Sequence, residues 1–188
     1  MPIPLGILAV AGAGGGGLAS SFDLLETTVL SSSASSVTFS SLGSYSDYKH
    51  LQIRMTTRNS RAVSTNTQFS LTFNGDTGSN YAHHILGGTG GSVYSTASTS
   101  QTAMQVSSIG NSATANIFSA SIIDILDFNS SSKNKTIRIM TGIVNSADYE
   151  ITLRSGFRNN TAAITSFTIT ANIDNILTGS RFSLYGIK

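Results

Sequence analysis

Three histidines, His50, His83 and His84, are the natural starting point for acid–base or metal chemistry in this chain of 188 residues. His83 and His84 follow Tyr81 in a short strand-like segment, so their imidazoles should point to opposite faces of a sheet. Two such ligands without nearby cysteine or acidic partners make a weak metal signal, and each reads as a packed or surface histidine. Nucleophilic catalysis fares no better. The sequence has no cysteine, no Gly-x-Ser-x-Gly elbow and no His-Glu-x-x-His pair, and nothing marks one serine above the others. Asn74-Gly75-Asp76 with Asn80 matches a calcium loop in residue type alone, because the alternating acidic spacing and the distal glutamate are missing. Asn-Gly after the alternating Phe69–Phe73 run predicts a hairpin turn instead. Asp124 and Asp127 flank apolar residues at a strand end and are assigned no role. The expectation is a chain without catalytic, cofactor-binding or metal-binding residues, not an enzyme.

Gly12-Ala13-Gly14-Gly15-Gly16-Gly17 spells the G-x-G-x-x-G of dinucleotide-binding turns after an apolar run. Such a site needs the third glycine to open a helix whose N-terminus holds the pyrophosphate. Ala19-Ser20-Ser21-Phe22 leads into strand-type sequence, so no dinucleotide is expected. Contact residues are easier to nominate. Arg54, Arg138, Arg154 and Arg158 occupy the polar positions of alternating segments. On neighbouring strands they would form a basic stripe able to meet a phosphate, an acidic sugar or the carboxylates of a neighbouring subunit. The plainer reading is a solvated sheet face whose charges deter stray edge pairing. The run from 87 to 101, GGTGGSVYSTASTSQ, reads as a long surface loop carrying one aromatic, Tyr94, which with Tyr81 is suited to contact a ligand or partner.

Strands must position these residues. Phe167, Ile169, Ala171 and Ile173 alternate with Ser166, Thr168, Thr170 and Asn172, and after the turn residues Asp174-Asn175 and Thr178-Gly179 the segment Arg181–Ile187 alternates again. Period two is the pleat of a half-buried strand. Similar runs recur at Leu24–Leu30, Ser36–Ser40, Tyr48–Thr57, Thr67–Phe73, Asn80–Leu86, Thr102–Ser107, Ile117–Leu126, Thr136–Ile143 and Tyr149–Phe157, separated by Gly-, Asn- and Ser-rich turns. In Leu51/Ile53/Met55, Phe69/Leu71/Phe73, Ile137/Ile139 and Ile151/Leu153 the apolar set predicts the core side, leaving Arg54, Arg138 and Arg154 on the solvent side. Ile122, Ile123, Ile125 and Leu126 crowd together, which predicts burial on both faces or a subunit contact. About eleven strands without a helical period predict an all-β chain, an antiparallel β-sandwich of jelly-roll type.

Composition agrees with this reading. Of the 188 residues, 54 are Ser or Thr, which suit exposed strand faces and turns better than helix interiors. Charged residues make up 11% and the formal net charge is +2, so no nucleic-acid partner is expected. Both prolines precede residue 5, and none interrupts a sheet ladder. The length suits one domain that buries about 70% of its unfolded surface. Residues 1–21 stand apart as an extended arm ahead of a β-sandwich domain at 22–188. The arm is apolar and then nearly all glycine; its apolar part is shorter than the roughly 20 residues of a bilayer span, so no membrane insertion is expected. Ala9-Val10-Ala11 mimics a leader cleavage site, but the basic region that precedes one is missing. Glycine loses the most backbone entropy on ordering. A neighbouring subunit is therefore expected to hold the arm by Ile3, Leu5, Ile7, Leu8 and Val10, in a groove or along a sheet edge, with folding onto its own domain as the alternative.

Four stretches resemble the short structural proteins of tailed bacteriophages: Tyr48–Arg54 (YKHLQIR), Phe73–Tyr81 (FNGDTGSNY), Asn160–Thr165 (NTAAIT) and Gly179–Lys188 (GSRFSLYGIK). The resemblance implies a homotrimeric virion component with an exterior β domain, bound to other capsid or tail subunits. It leaves capsid decoration, as a cement protein, and a tail-fibre or tail-tip place both open. The leading expectation is a non-enzymatic virion protein anchored by its arm. Its rival is a carbohydrate-binding adsorption module that reads host-surface glycans through Tyr81, Tyr94 and loop Asn or Asp groups, a reading weakened by the lack of tryptophan.

Overall fold

The computed structural model describes residues 21–62, 66–145 and 149–188, and the arm residues Ile3, Leu5, Ile7, Leu8 and Val10 lie outside them. Among the described residues the alternating runs become twelve strands: β1 (Phe22–Val29), β2 (Ser36–Phe39), β3 (His50–Thr57), β4 (Asn66–Phe73), β5 (Tyr81–Thr89), β6 (Val93–Gln101), β7 (Met104–Ile109), β8 (Ser119–Leu126), β9 (Lys135–Val144), β10 (Tyr149–Arg158), β11 (Phe167–Ala171) and β12 (Arg181–Ile187). They form two antiparallel sheets, β1-β12-β3-β8-β9-β10-β5-β6 and β2-β11-β4-β7. Within this order β1-β12-β3-β8 and β2-β11-β4-β7 are the two four-stranded halves of a jelly roll, since β1/β2, β3/β4, β7/β8 and β11/β12 each place consecutive strands in opposite sheets. The hairpin β5–β6 and the pair β9–β10 are insertions into that frame. They pair with each other through β5 and β10 and extend the first sheet to eight strands.

The frame is held by its apolar positions. Phe39, Phe69, Phe73, Phe128, Phe167 and Phe182 are fully buried between the sheets with Leu51, Ile53, Ile123 and Leu184. Each such side chain contributes roughly 1.5–3 kcal/mol on burial, and Phe39 stacks on Phe167 with centroids 4.9 Å apart. The hydroxyl-rich composition reaches inside as well. Thr57, Ser108 and Ser119 are buried and bond one another at 3.1–3.2 Å, and Ser121 bonds Thr141 at 2.9 Å. Pairing is what permits this, because a buried hydroxyl without a partner is costly.

Three expectations are corrected. Asn74 and Gly75 do form a tight turn, with positive φ at both (53° and 67°), yet the strands they join enter different sheets and make no hairpin. The expected loop from 87 to 101 is the end of β5, a turn at 90–92 and all of β6, because Val, Tyr and Thr suit a pleated edge strand. Most consequentially, β10 is inverted. Thr152, Arg154 and Arg158 point inward and are buried, while Tyr149, Ile151, Leu153 and Phe157 are exposed. The inner face of β10 does not meet the apolar interior alone; it meets the edge strand β7, where Met104 presses on Gly156, and the polar side chain of Asn66, which bonds Glu150.

That contact gives a stability test. A methyl group at 156 would collide with the Met104 side chain and stand 2.7 Å from the Ala82 carbonyl oxygen. Gly156→Ala should therefore lower the unfolding free energy by about 1–3 kcal/mol, read as an earlier urea midpoint with an unchanged slope. An unaltered midpoint would show that β10 and β7 are not in close contact.

Candidate functional site

The inverted strand places a row of apolar side chains on the outside of the larger sheet. Across five strands the register aligns Arg54, Ile122, Met140, Leu153 and Leu86, and the next row aligns Ala120, Gly142, Ile151, Gly88 and Val93. Ile151 is 61% exposed, Leu86 56%, Met140 47% and Leu153 46%. Single exposed apolar residues are ordinary, but a contiguous apolar patch marks an interaction surface. Because Ala120 and Gly142 are small, the sheet sinks there into a depression of about 500 Å³ between Ile122, Met140 and Ile151 on one side and Arg54, Arg181 and Tyr185 on the other.

One side of this patch is bordered by a polar row, Gln52, Asp124 and Arg138, aligned by the same register. Arg138 donates to Asp124 Oδ2 from Nε at 3.0 Å and from Nη2 at 2.8 Å, and Gln52 Nε2 donates to Asp124 Oδ1 at 2.8 Å. Arg54 Nε donates to Gln52 Oε1 at 2.9 Å, and its guanidinium lies over the rings of Phe22 and Tyr185 at 4.9 and 4.8 Å. Neighbouring charges are thus neutralised or stacked, and the apolar rows are left as the adhesive part of the face.

The four arginines do not make one stripe. Arg54 and Arg138 lie on the outer face, whereas Arg154 and Arg158 are 2% and 3% exposed on the inner one. Arg158 Nε pairs with Asp76 Oδ2 at 2.9 Å, which puts it beside Tyr81. Tyr81 is itself buried; its hydroxyl donates to the Asp76 carbonyl and accepts from the Phe73 N–H, so it braces the turn and is no surface contact. Tyr94 is half-buried over Gly87 and donates to Glu150; burial and then that carboxylate push its hydroxyl up to about 12. His83 is inside and His84 outside, and His50 Nδ1 accepts from the Asp127 N–H. Asp127 pairs with Lys133 while Asp124 pairs with Arg138, so the two carboxylates serve separate bridges. Among the described residues no three His, Asp or Glu side chains converge on one point.

Sequence reasoning flagged Ile122 but missed Met140, Leu86 and the outward turn of Ile151 and Leu153. Period two tells that a strand has two unlike faces, and the face that turns inward is set by its neighbours. Comparison with protein-family models, with curated proteins and with solved structures finds no match.

The Asp76 bridge carries a pH signature. Burial alone would raise the carboxyl, but hydrogen bonds from Arg158, the Gly78 N–H and Asn80 outweigh it and hold the group below its ordinary value. A carboxyl depressed in the folded state contributes stability above its unfolded value, about 3.9, and that contribution is lost as pH falls through the folded one. The unfolding midpoint of the wild type should fall as pH drops below about 4, and Asp76→Asn should give a shallower fall over the same window. Parallel curves for the two proteins would contradict the assignment.

Proposed function

We propose that the chain is a non-enzymatic structural component of a tailed-bacteriophage virion. Its jelly-roll domain sits on the particle exterior, joined to neighbouring subunits by the N-terminal arm and by the outer face of the eight-stranded sheet, in a homotrimer. The observation that supports this reading most is the row of exposed Met140, Leu153 and Leu86 with half-buried Ile122 at its end and exposed Ile151 beside it. Burying such a face contributes about 25 cal/mol per Å² of apolar surface, and about 800 Å² per partner makes a stable interface. The arm residues Ile3, Leu5, Ile7, Leu8 and Val10 carry no charge and would add apolar area of the same kind. The mechanism is mechanical: many modest contacts, repeated by symmetry, hold the particle. Capsid decoration and a tail place share it. A glycan site through Tyr81 and Tyr94 loses support, since Tyr81 is buried and Tyr94 is engaged by Glu150.

Two variants test the reading. Replacing Ile151 and Leu153 together by Lys puts two charges into the proposed interface without touching the core. In sedimentation equilibrium the wild type should run as a trimer and the double variant as a monomer with an unchanged circular-dichroism spectrum. Deleting residues 1–17 should leave the domain folded and absent from purified particles. A lysine variant that assembles like the wild type would remove the outer face from the account, and a deleted chain that still joins particles would remove the arm.

A further inference from the structure

Four cations lie inside the domain, and three have found acceptors. Arg58 donates to the carbonyls of Asn111, Ala113, Thr114 and Ile117 and to Asn111 Oδ1, all within 2.7–3.3 Å. Lys135 Nζ donates to the carbonyls of Ser130, Lys133 and Thr161, and Arg158 pairs with Asp76. Arg154 is different. Among the described residues no carboxylate lies within ion-pair distance of it, and its one polar contact is His83 Nε2 at 3.4 Å. Glu150, on the same face of β10, is taken by Tyr94 and Asn66. His83 brings no counter-charge. Burial first, and Arg154 second, hold its pKa below the ordinary value, so the ring is neutral at pH 7. Its Nδ1 is buried without a hydrogen-bond partner.

Burying a guanidinium with no carboxylate in contact is unfavourable, and burial pulls the Arg154 pKa down to about 10 against a smaller upward pull from Tyr94 and Glu150. The group does not face a closed interior. Arg154 and His83 line a cleft of about 370 Å³ where the β5–β6 hairpin passes the edge of the four-stranded sheet. Apart from Ile85 of β5, the other lining groups are polar: Ser98 and Gln101 from β6, Gln68 from β4, Gln105 from β7, and Asn172. The volume is at the lower end of the roughly 300–1,000 Å³ of small-molecule sites, enough for one sugar ring.

We infer that this cleft binds a carboxylate-bearing sugar, the Arg154 guanidinium taking the carboxylate and the side-chain amides around it taking ring hydroxyls. The charge balance favours this class. One cation beside a neutral imidazole matches a monoanion and leaves a phosphate dianion half-compensated. Gln68 offers a donor and an acceptor, the pairing that a hydroxyl needs and a bare carboxylate cannot use, while Gln101 and Gln105 each keep a second N–H beyond their bonds to Thr99, Ser70 and Asn172. The inference goes beyond the assembly reading and does not depend on it, because the cleft lies on the face of β10 opposite to the apolar rows.

The test is calorimetric titration of the full chain with glucuronate, glucose, acetate and inorganic phosphate, together with Arg154→Gln and Gln101→Glu. Glucuronate should bind saturably, about ten-fold or more tighter than each of the other three, and Arg154→Gln should weaken it by at least about ten-fold, the loss expected for one charge-assisted contact. Gln101→Glu, at the half-exposed margin of the cleft, sets a negative charge against the ligand and should weaken glucuronate likewise, so the test stands even where Arg154→Gln fails to fold. Absence of saturable glucuronate binding would overturn the inference. So would glucose, acetate or phosphate binding as tightly, or affinity that survives Gln101→Glu or a folded Arg154→Gln.

Discussion

Strand β10 lays its inner face against the edge of the four-stranded sheet, and that contact decides which way its side chains point. At Gly156 the backbone comes close enough to take the Met104 side chain directly, and at the other end Asn66 ties down Glu150. An inner face that meets a strand edge and amide side chains favours polar residues, because buried polar groups need partners and apolar ones would strand them. Thr152, Arg154 and Arg158 therefore go in, and Tyr149, Ile151, Leu153 and Phe157 come out. The apolar rows outside and the cationic cleft inside are two sides of one strand.

The jelly-roll frame makes the arrangement affordable in energetic terms. Its own core, built from six buried phenylalanines and the aliphatic residues of β3, β8 and β12, does not need the apolar side chains of β10. The insertions β5–β6 and β9–β10 are consequently free to present a second apolar surface without hollowing the first. An exposed surface of that kind lowers solubility unless it is covered, which is the physical reason for placing assembly, rather than catalysis, at the centre of the functional reading.

Much of the fold was legible in the sequence. Every strand except β6 could be placed from alternation and turn residues, and the apolar sets Leu51/Ile53/Met55 of β3, Phe69/Leu71/Phe73 of β4 and Ile137/Ile139 of β9 turned inward as their hydropathy implies. Strand β6 hid in a Ser/Thr run whose apolar content is too low to show a period. Ile173 fell outside the core because β11 ends at Ala171, before the alternation does. The site was far less legible. Arg54 and Arg154 occupy equivalent positions of similar patterns, yet one is stacked on two half-buried rings at the surface and the other is buried, a difference made by the strands beside them. His83 likewise carries no mark in the sequence of the guanidinium it faces.

The central claim is the orientation of β10, and the absence of native cysteine allows it to be measured residue by residue. Single cysteines at positions 151, 152, 153 and 154 of the unassembled chain would be labelled with a maleimide under native conditions. The account predicts fast labelling at 151 and 153 and slow labelling, limited by opening of the fold, at 152 and 154. The reverse pattern would contradict it, returning Ile151 and Leu153 to the core and removing both the outer face and the cleft.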